Sequence, residues 1–150
     1  LEASGSVNLS ALTYGDEVGY EGIIYPQFST LVAGPAETVL GDAYEGTLSG
    51  DAFGSSIGPQ FATGGSGDLI GIAFGFGNVV VPAGYVSGSP LSATSTFANT
   101  SLADLDIAPG VYSWTWGSGA DADSATLTAV PAALAGAFAL GLALWNRRRR

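Results

Sequence analysis

The chain has no cysteine, no methionine, no histidine and no lysine. Its only basic residues are four arginines, and they are the last four positions, Arg147 to Arg150. Each absence excludes a chemistry. Without cysteine there is no disulfide framework and no thiol nucleophile. Without histidine the usual transition-metal ligand sets are missing. Without His, Cys or Lys, the usual nucleophilic triads and Schiff-base chemistry are excluded. No Lys follows Gly71, Gly75 and Gly77, which alternate in a strand-like run, so they do not form a phosphate-cradling loop. Methionine is missing at position 1 as well, so Leu1 reads as the start of a processed or trimmed chain, as left by removal of a secretory signal peptide.

What is present is acid, glycine and small residues. Thirteen acids and no base give residues 1–146 a formal charge of −13, and the terminal arginines bring the whole chain to −9. So acidic a body repels phosphate backbones, which excludes nucleic acid as a partner. A length of 150 residues suffices for one domain with a real core. Twenty-three glycines and seven prolines punctuate the chain every few residues. No amphipathic helix of useful length precedes residue 131. That spacing predicts an all-β fold, a small antiparallel β-sandwich or jelly-roll-like domain over residues 1–130.

Alternation marks individual strands. In Val111 to Trp116, Tyr112, Trp114 and Trp116 share one face. Ser124 to Val130 alternates again, with Ala125, Leu127 and Ala129 together. The Gly-rich stretch 117–123 joins the two runs into a predicted hairpin. Leu69 to Phe76, Val79 to Val81 and Leu91 to Phe97 read as further strands, with Val7 to Leu12 and Gly22 to Tyr25 as weaker ones. Leu102 to Ile107 reads as one helical turn, and residues 50–67 as a loop or irregular edge.

The C-terminal segment has a different character. Ala132 to Trp145 is apolar throughout, with no polar face for a soluble surface helix. Fourteen residues make a helix of roughly 21 Å, and counting from Ala129 gives 17 residues against a hydrocarbon core of about 30 Å. Arginine stems snorkel toward headgroups and hold their end on the cytoplasmic side. The expectation is a single C-terminal hydrophobic helix within residues 131–150 that enters the lipid bilayer.

The tail Val130-Pro131-Ala132 … Arg147-Arg148-Arg149-Arg150 resembles the PEP-CTERM class of bacterial sorting signals, in a Val-Pro variant without the Pro-Glu-Pro triplet. In the body, three stretches are similar to proteins that carry such tails. They are Gly67 to Ile72, Val81 to Gly88, and Leu102 to Ser124 with its Trp114-Thr115-Trp116-Gly117-Ser118-Gly119 run. The resemblance implies an exported, non-enzymatic protein of the cell surface or extracellular matrix. It implies a membrane-bound, exosortase-like sorting protease as a partner and exopolysaccharide as a further one. Val130, Pro131, Ala132 and Arg147 to Arg150 are then the sorting and processing signal. No cofactor, metal or catalytic residue is implied.

Two clusters carry a second reading. Tyr112, Trp114 and Trp116 are first of all the inner face of a sandwich, since strand aromatics usually supply buried area. Exposed, Trp114 and Trp116 would instead stack on sugars, making the chain a carbohydrate-binding module. Asp121 and Asp123, and likewise Asp104 and Asp106, are solvated turns before they are calcium ligands, because the further acids of a calcium loop are missing. The sequons Asn8-Leu9-Ser10 and Asn99-Thr100-Ser101 read as chance matches. A self-assembling surface subunit, using a strand edge or the apolar tail, is the other alternative.

Overall fold

The computed structural model describes residues 1–131 and 138–145. The described residues form fourteen strands: β1 (Glu2–Gly5), β2 (Thr13–Tyr20), β3 (Ile23–Tyr25), β4 (Thr30–Ala33), β5 (Val39–Glu45), β6 (Ser49–Gly50), β7 (Gln60–Phe61), β8 (Gly64–Gly67), β9 (Ile70–Ala73), β10 (Asn78–Pro82), β11 (Leu91–Thr96), β12 (Gly110–Trp116), β13 (Asp123–Pro131) and β14 (Phe138–Trp145). They make two seven-stranded sheets, ordered β6-β12-β13-β14-β1-β11-β8 and β2-β5-β10-β9-β4-β3-β7. Pairing is antiparallel except between β1 and β14, which run parallel.

One apolar core joins the sheets into a sandwich-like body. Ile24, Leu31, Ile72, Val79 and Val81 from the second sheet meet Leu91, Trp114, Leu127, Leu140 and Leu142 from the first. Ser95 on β11 ties the layers with polar bonds as well. Its Oγ accepts from the Gly34 N–H at 2.8 Å and donates to the Gly34 carbonyl at 2.7 Å, both in the interior. The central strands of the second sheet are buried on both faces, with Val32, Leu69 and Val80 forming a smaller cluster away from the main core. Small residues allow that close packing: a Cβ at Gly71 would lie 2.6 Å from Val32 Cγ2 and 2.8 Å from the Leu31 carbonyl oxygen.

The hairpin of β12 and β13 is the predicted one, with Trp116 opposite Asp123 and Gly110 opposite Ala129. Elsewhere the boundaries differ. The strand expected over Leu69 to Phe76 stops at Ala73, and Phe74–Phe76 is a 3-10 turn closed by Gly77 in the left-handed region at φ 70°. Val7 to Leu12 is a turn rather than a strand; the Leu12 N–H donates to the Leu9 carbonyl. Leu102 to Asp106 is the expected turn.

The sequence predicts one helix over Ala132 to Trp145. The structure corrects this for residues 138–145, which are strand β14, while residues 132–137 lie outside the described residues. The physical reason is period. Within the apolar run, Leu140, Leu142 and Leu144 alternate with Gly141 and Ala143, so large side chains fall on one side of an extended chain. The leucines are buried, and Gly141 and Ala143 are exposed. The expected boundary at residue 130 thus falls within a hairpin, with part of the tail built into the body's first sheet. Among the described residues no helix is long and apolar enough to cross a membrane.

Candidate functional site at the C-terminal seam

β14 occupies a slot between β13 and β1. On the β13 side the ladder runs from Ser124 opposite Trp145 to Pro131 opposite Phe138. Its inward pairs are Ala125 with Leu144, Leu127 with Leu142, and Ala129 with Leu140. All six of these side chains are buried. On the other side, Glu2, Ala3 and Ser4 face Gly141, Leu142 and Ala143 in parallel register. The approach at the end of β1 is close enough to require glycine. Gly5 has φ 135°, and a Cβ there would collide with the Leu144 carbonyl oxygen.

The outward surface of the seam is a shallow trough of about 480 Å³, lined in part by Glu2, Ser4, Ser92, Thr94, Thr128 and Gly141. Among the described residues that line it, the hydroxyls and the Glu2 carboxylate can exchange hydrogen bonds, and none carries an aromatic ring for stacking.

Of the residues expected to form a processing signal, Val130 and Pro131 sit at the end of the β13–β14 ladder. Val130 is 44% exposed and opposite Ala139. Pro131 opposes Phe138 and, lacking an N–H, cannot donate to the ladder. Ala132 and Arg147 to Arg150 lie outside the described residues.

Trp114 and Trp116, the candidate ligand contacts, are 0% and 2% exposed. That bears out their first reading, as the inner face of a sandwich, and overturns the alternative of a stacking face. They are core because β12 turns its large rings inward, where each indole N–H finds a carbonyl. Trp114 Nε1 donates to the Asp51 carbonyl at 2.8 Å and Trp116 Nε1 to the Asn8 carbonyl at 3.2 Å. Phe53 meets Trp114 edge-on at 5.9 Å. Half-buried Tyr112 also packs on Phe53, and its hydroxyl donates to the Ala108 carbonyl at 2.8 Å.

The aspartates act as loop clasps. Asp123 is buried, and its oxygens accept from the Asn8 N–H at 2.7 Å and the Ser124 N–H at 2.8 Å. Burial raises its pKa above the ordinary carboxylate value, against the pull of those two N–H groups. Asp104 accepts from the Ser101 hydroxyl and backbone N–H, which lower its pKa. Asp106 has φ 52° and bonds to the Ser55 hydroxyl. Asp121 is exposed in the 3-10 turn Gly119–Asp121. Among the described residues no three acids gather closely enough to hold a metal ion. Asn8 is buried, and its carboxamide oxygen accepts from the Ser10 N–H at 3.0 Å, so the first sequon is not presented to solvent.

One surface feature escaped the sequence. The 3-10 turns Pro26–Phe28 and Phe74–Phe76 lie side by side, with the Phe74 N–H donating to the Ser29 carbonyl at 3.3 Å. They gather Tyr25, Phe28 and Phe76, with ring centroids 4.8 and 4.9 Å apart in succession. Phe76 is 59% exposed. The signal was its flanking by Gly75 and Gly77, which marks a turn where a strand face was assumed. No protein-family model matches the chain, and neither does any curated protein or solved structure.

Proposed function

We propose that the chain is an exported, non-enzymatic protein of the cell surface or extracellular matrix, carrying a C-terminal sorting signal for an exosortase-like membrane protease. The observation that carries this reading is the partition of charge. Every base stands in the last four residues, behind an apolar run, and all thirteen acids precede them. During sorting, Ala132 to Trp145 enters the bilayer. There a lone strand would leave its backbone groups unsatisfied, so the segment becomes helical. Arg147 to Arg150 stay cytoplasmic, each costing about 2.5–3.5 kcal/mol to carry to the centre of the hydrocarbon. The strand form belongs to the chain outside the membrane.

The test is fractionation of the full chain exported behind a secretory leader in a bacterial host. The chain should sediment with membranes. Replacing all four arginines with Gln should shift it to the soluble exported fraction or abolish processing. Equal retention and equal processing of the two forms would reject the sorting signal.

A second reading, a carbohydrate-binding module, is favoured by the cluster of Tyr25, Phe28 and Phe76. The exposed ring of Phe76, backed by half-buried Phe28 and Tyr25, offers a face that suits a pyranose ring. The acidic body would restrict the ligand to a neutral polysaccharide. Co-sedimentation with such a polymer that is lost in Phe76→Ala, with the fold intact, would favour this reading over the first.

A further inference from the structure

The second sheet contains the same unit twice. β3, the turn Pro26–Phe28 and β4 make one strand–turn–strand hairpin; β9, the turn Phe74–Phe76 and β10 make the other. One shift in numbering brings Ile24 onto Ile72, Phe28 onto Phe76 and Val32 onto Val80. The cross-strand pairs correspond as well. Ile24 faces Leu31 and Tyr25 faces Thr30 in the first hairpin; Ile72 faces Val79 and Ala73 faces Asn78 in the second. Each turn ends on a residue in the left-handed region, Ser29 at φ 46° and Gly77 at φ 70°, whose N–H donates back into the turn.

Burial accounts for the recurring Ile and Val, since Ile24, Ile72, Val32 and Val80 are all inaccessible to solvent. It does not account for the phenylalanines, of which Phe28 is half-buried and Phe76 exposed. With Tyr25 they form one apolar patch, and a patch of that kind marks a contact surface. The two units differ at the middle of the turn. Gly75 has no room for a side chain, because a Cβ would lie 2.7 Å from the Phe28 carbonyl oxygen. The matching residue is Gln27, which is exposed. Its backbone N–H donates to the Ser56 carbonyl at 3.2 Å, which fixes its place beside the rings.

We propose that Gln27 is the hydroxyl-reading residue of a glycan site on this patch, with Phe76 as the stacking ring, and that the ligand is a neutral hexose unit of a polysaccharide. The inference rests on the carbohydrate-binding reading and adds to it the group that sets specificity. A pyranose has a C–H face and a rim of hydroxyls. The ring of Phe76 suits the first, and a carboxamide, which both donates and accepts, suits the second. The ligand is neutral because thirteen acids repel a uronate or sulfate, and no base precedes Arg147 to meet one. Stacking alone accepts any sugar with an apolar face. The carboxamide disfavours a ring whose hydroxyls it cannot pair with, since its own polar atoms would then be covered without partners.

The test is retardation of the full chain in native gels that contain soluble starch, a soluble β-glucan, galactomannan or, as an acidic comparison, alginate. The parent should be slowed by at least one neutral polymer and not by alginate. Phe76→Ala should weaken binding to every neutral polymer on the order of tenfold. Gln27→Ala should weaken binding to the preferred polymer by about 2–13-fold and narrow its lead over the others. Gln27→Glu, which keeps the size but loses the N–H donors, should do the same. Tyr14→Ala removes an exposed ring on β2, outside the patch, and should change nothing. Circular dichroism of each variant checks that the fold is kept. If no neutral polymer slows the parent, or if Phe76→Ala binds as the parent does, the carbohydrate reading and this inference fall together. Equal loss in Tyr14→Ala has the same result, since binding would then follow exposed rings in general. If Phe76→Ala loses binding while both Gln27 variants keep the parent's affinity and order of preference, the site stands and the role of Gln27 is overturned.

Discussion

β12 and β14 flank the same strand, β13, yet they are held in different ways. Both alternate large inward residues with small outward ones. β12 adds anchors to its ladder. Trp114 and Trp116 each donate an indole N–H to a distant loop, and Tyr112 its hydroxyl to Ala108. On β14, Leu140, Leu142 and Leu144 are buried between two neighbouring strands, β13 and β1. Period alone places a strand in a sheet. What its side chains hold beyond the ladder adds to that, as the two indole N–H groups do on β12.

The largest effect should come from the anchored side. Trp114→Ala removes a fully buried ring packed edge-on against Phe53 and orphans the Asp51 carbonyl. A loss of about 3–5 kcal/mol is expected, read as a fall in the urea midpoint. On the other flank, Leu142→Ala should cost about 2–5 kcal/mol, less than Trp114→Ala, and should loosen β14 before the whole body unfolds. Hydrogen exchange would show this as protection lost first along β13 and β1. A single transition with equal loss everywhere would erase the distinction between the flanks.

Smaller changes sharpen it. Trp116→Phe keeps a ring but removes the donor to the Asn8 carbonyl, for an expected loss of about 1–3 kcal/mol. The smallest effect is expected at Asp123, which clasps Asn8 at the loop end of the β12–β13 hairpin. In Asp123→Asn the amide replaces one of two accepting oxygens but relieves a buried charge, so stability at neutral pH should change by about 1 kcal/mol or less. The pH dependence is the clearer readout. A carboxyl whose folded pKa is raised binds its proton more tightly in the folded state. Its contribution is full below the unfolded pKa and is lost as pH rises through the folded one. That component should be present in the parent's stability profile and missing from the Asn variant's.

The hairpin of β12 and β13 was legible because aromatic and β-branched residues mark alternation unmistakably and a Gly-rich stretch separates the runs. β2 was not. Thr13–Tyr20 carries Gly15, Asp16, Glu17 and Gly19, and its place at a sheet edge leaves little of it buried, so no apolar face shows in the sequence. β14 was hidden for the opposite reason. Gly141 and Ala143 count as apolar, so the run looked uniform by composition, although side-chain size alternates with period two. The burial of Trp114 and Trp116 followed from alternation. The surface cluster of Tyr25, Phe28 and Phe76 did not, because it forms only when two turns distant in sequence meet.

The aspartate clasps have a consequence for how the fold answers to dissolved electrolyte. Asp42, Asp51, Asp68, Asp104 and Asp123 each accept a backbone N–H, and no lysine, arginine or histidine occurs before residue 147. The negative charges of the body are held by peptide dipoles, not by counter-charged side chains. Mobile cations thus have almost no attractive side-chain pairs to weaken, while they do damp the mutual repulsion of thirteen carboxylates. Brine should therefore act as a stabiliser of this fold, and fresh water as its harsher medium.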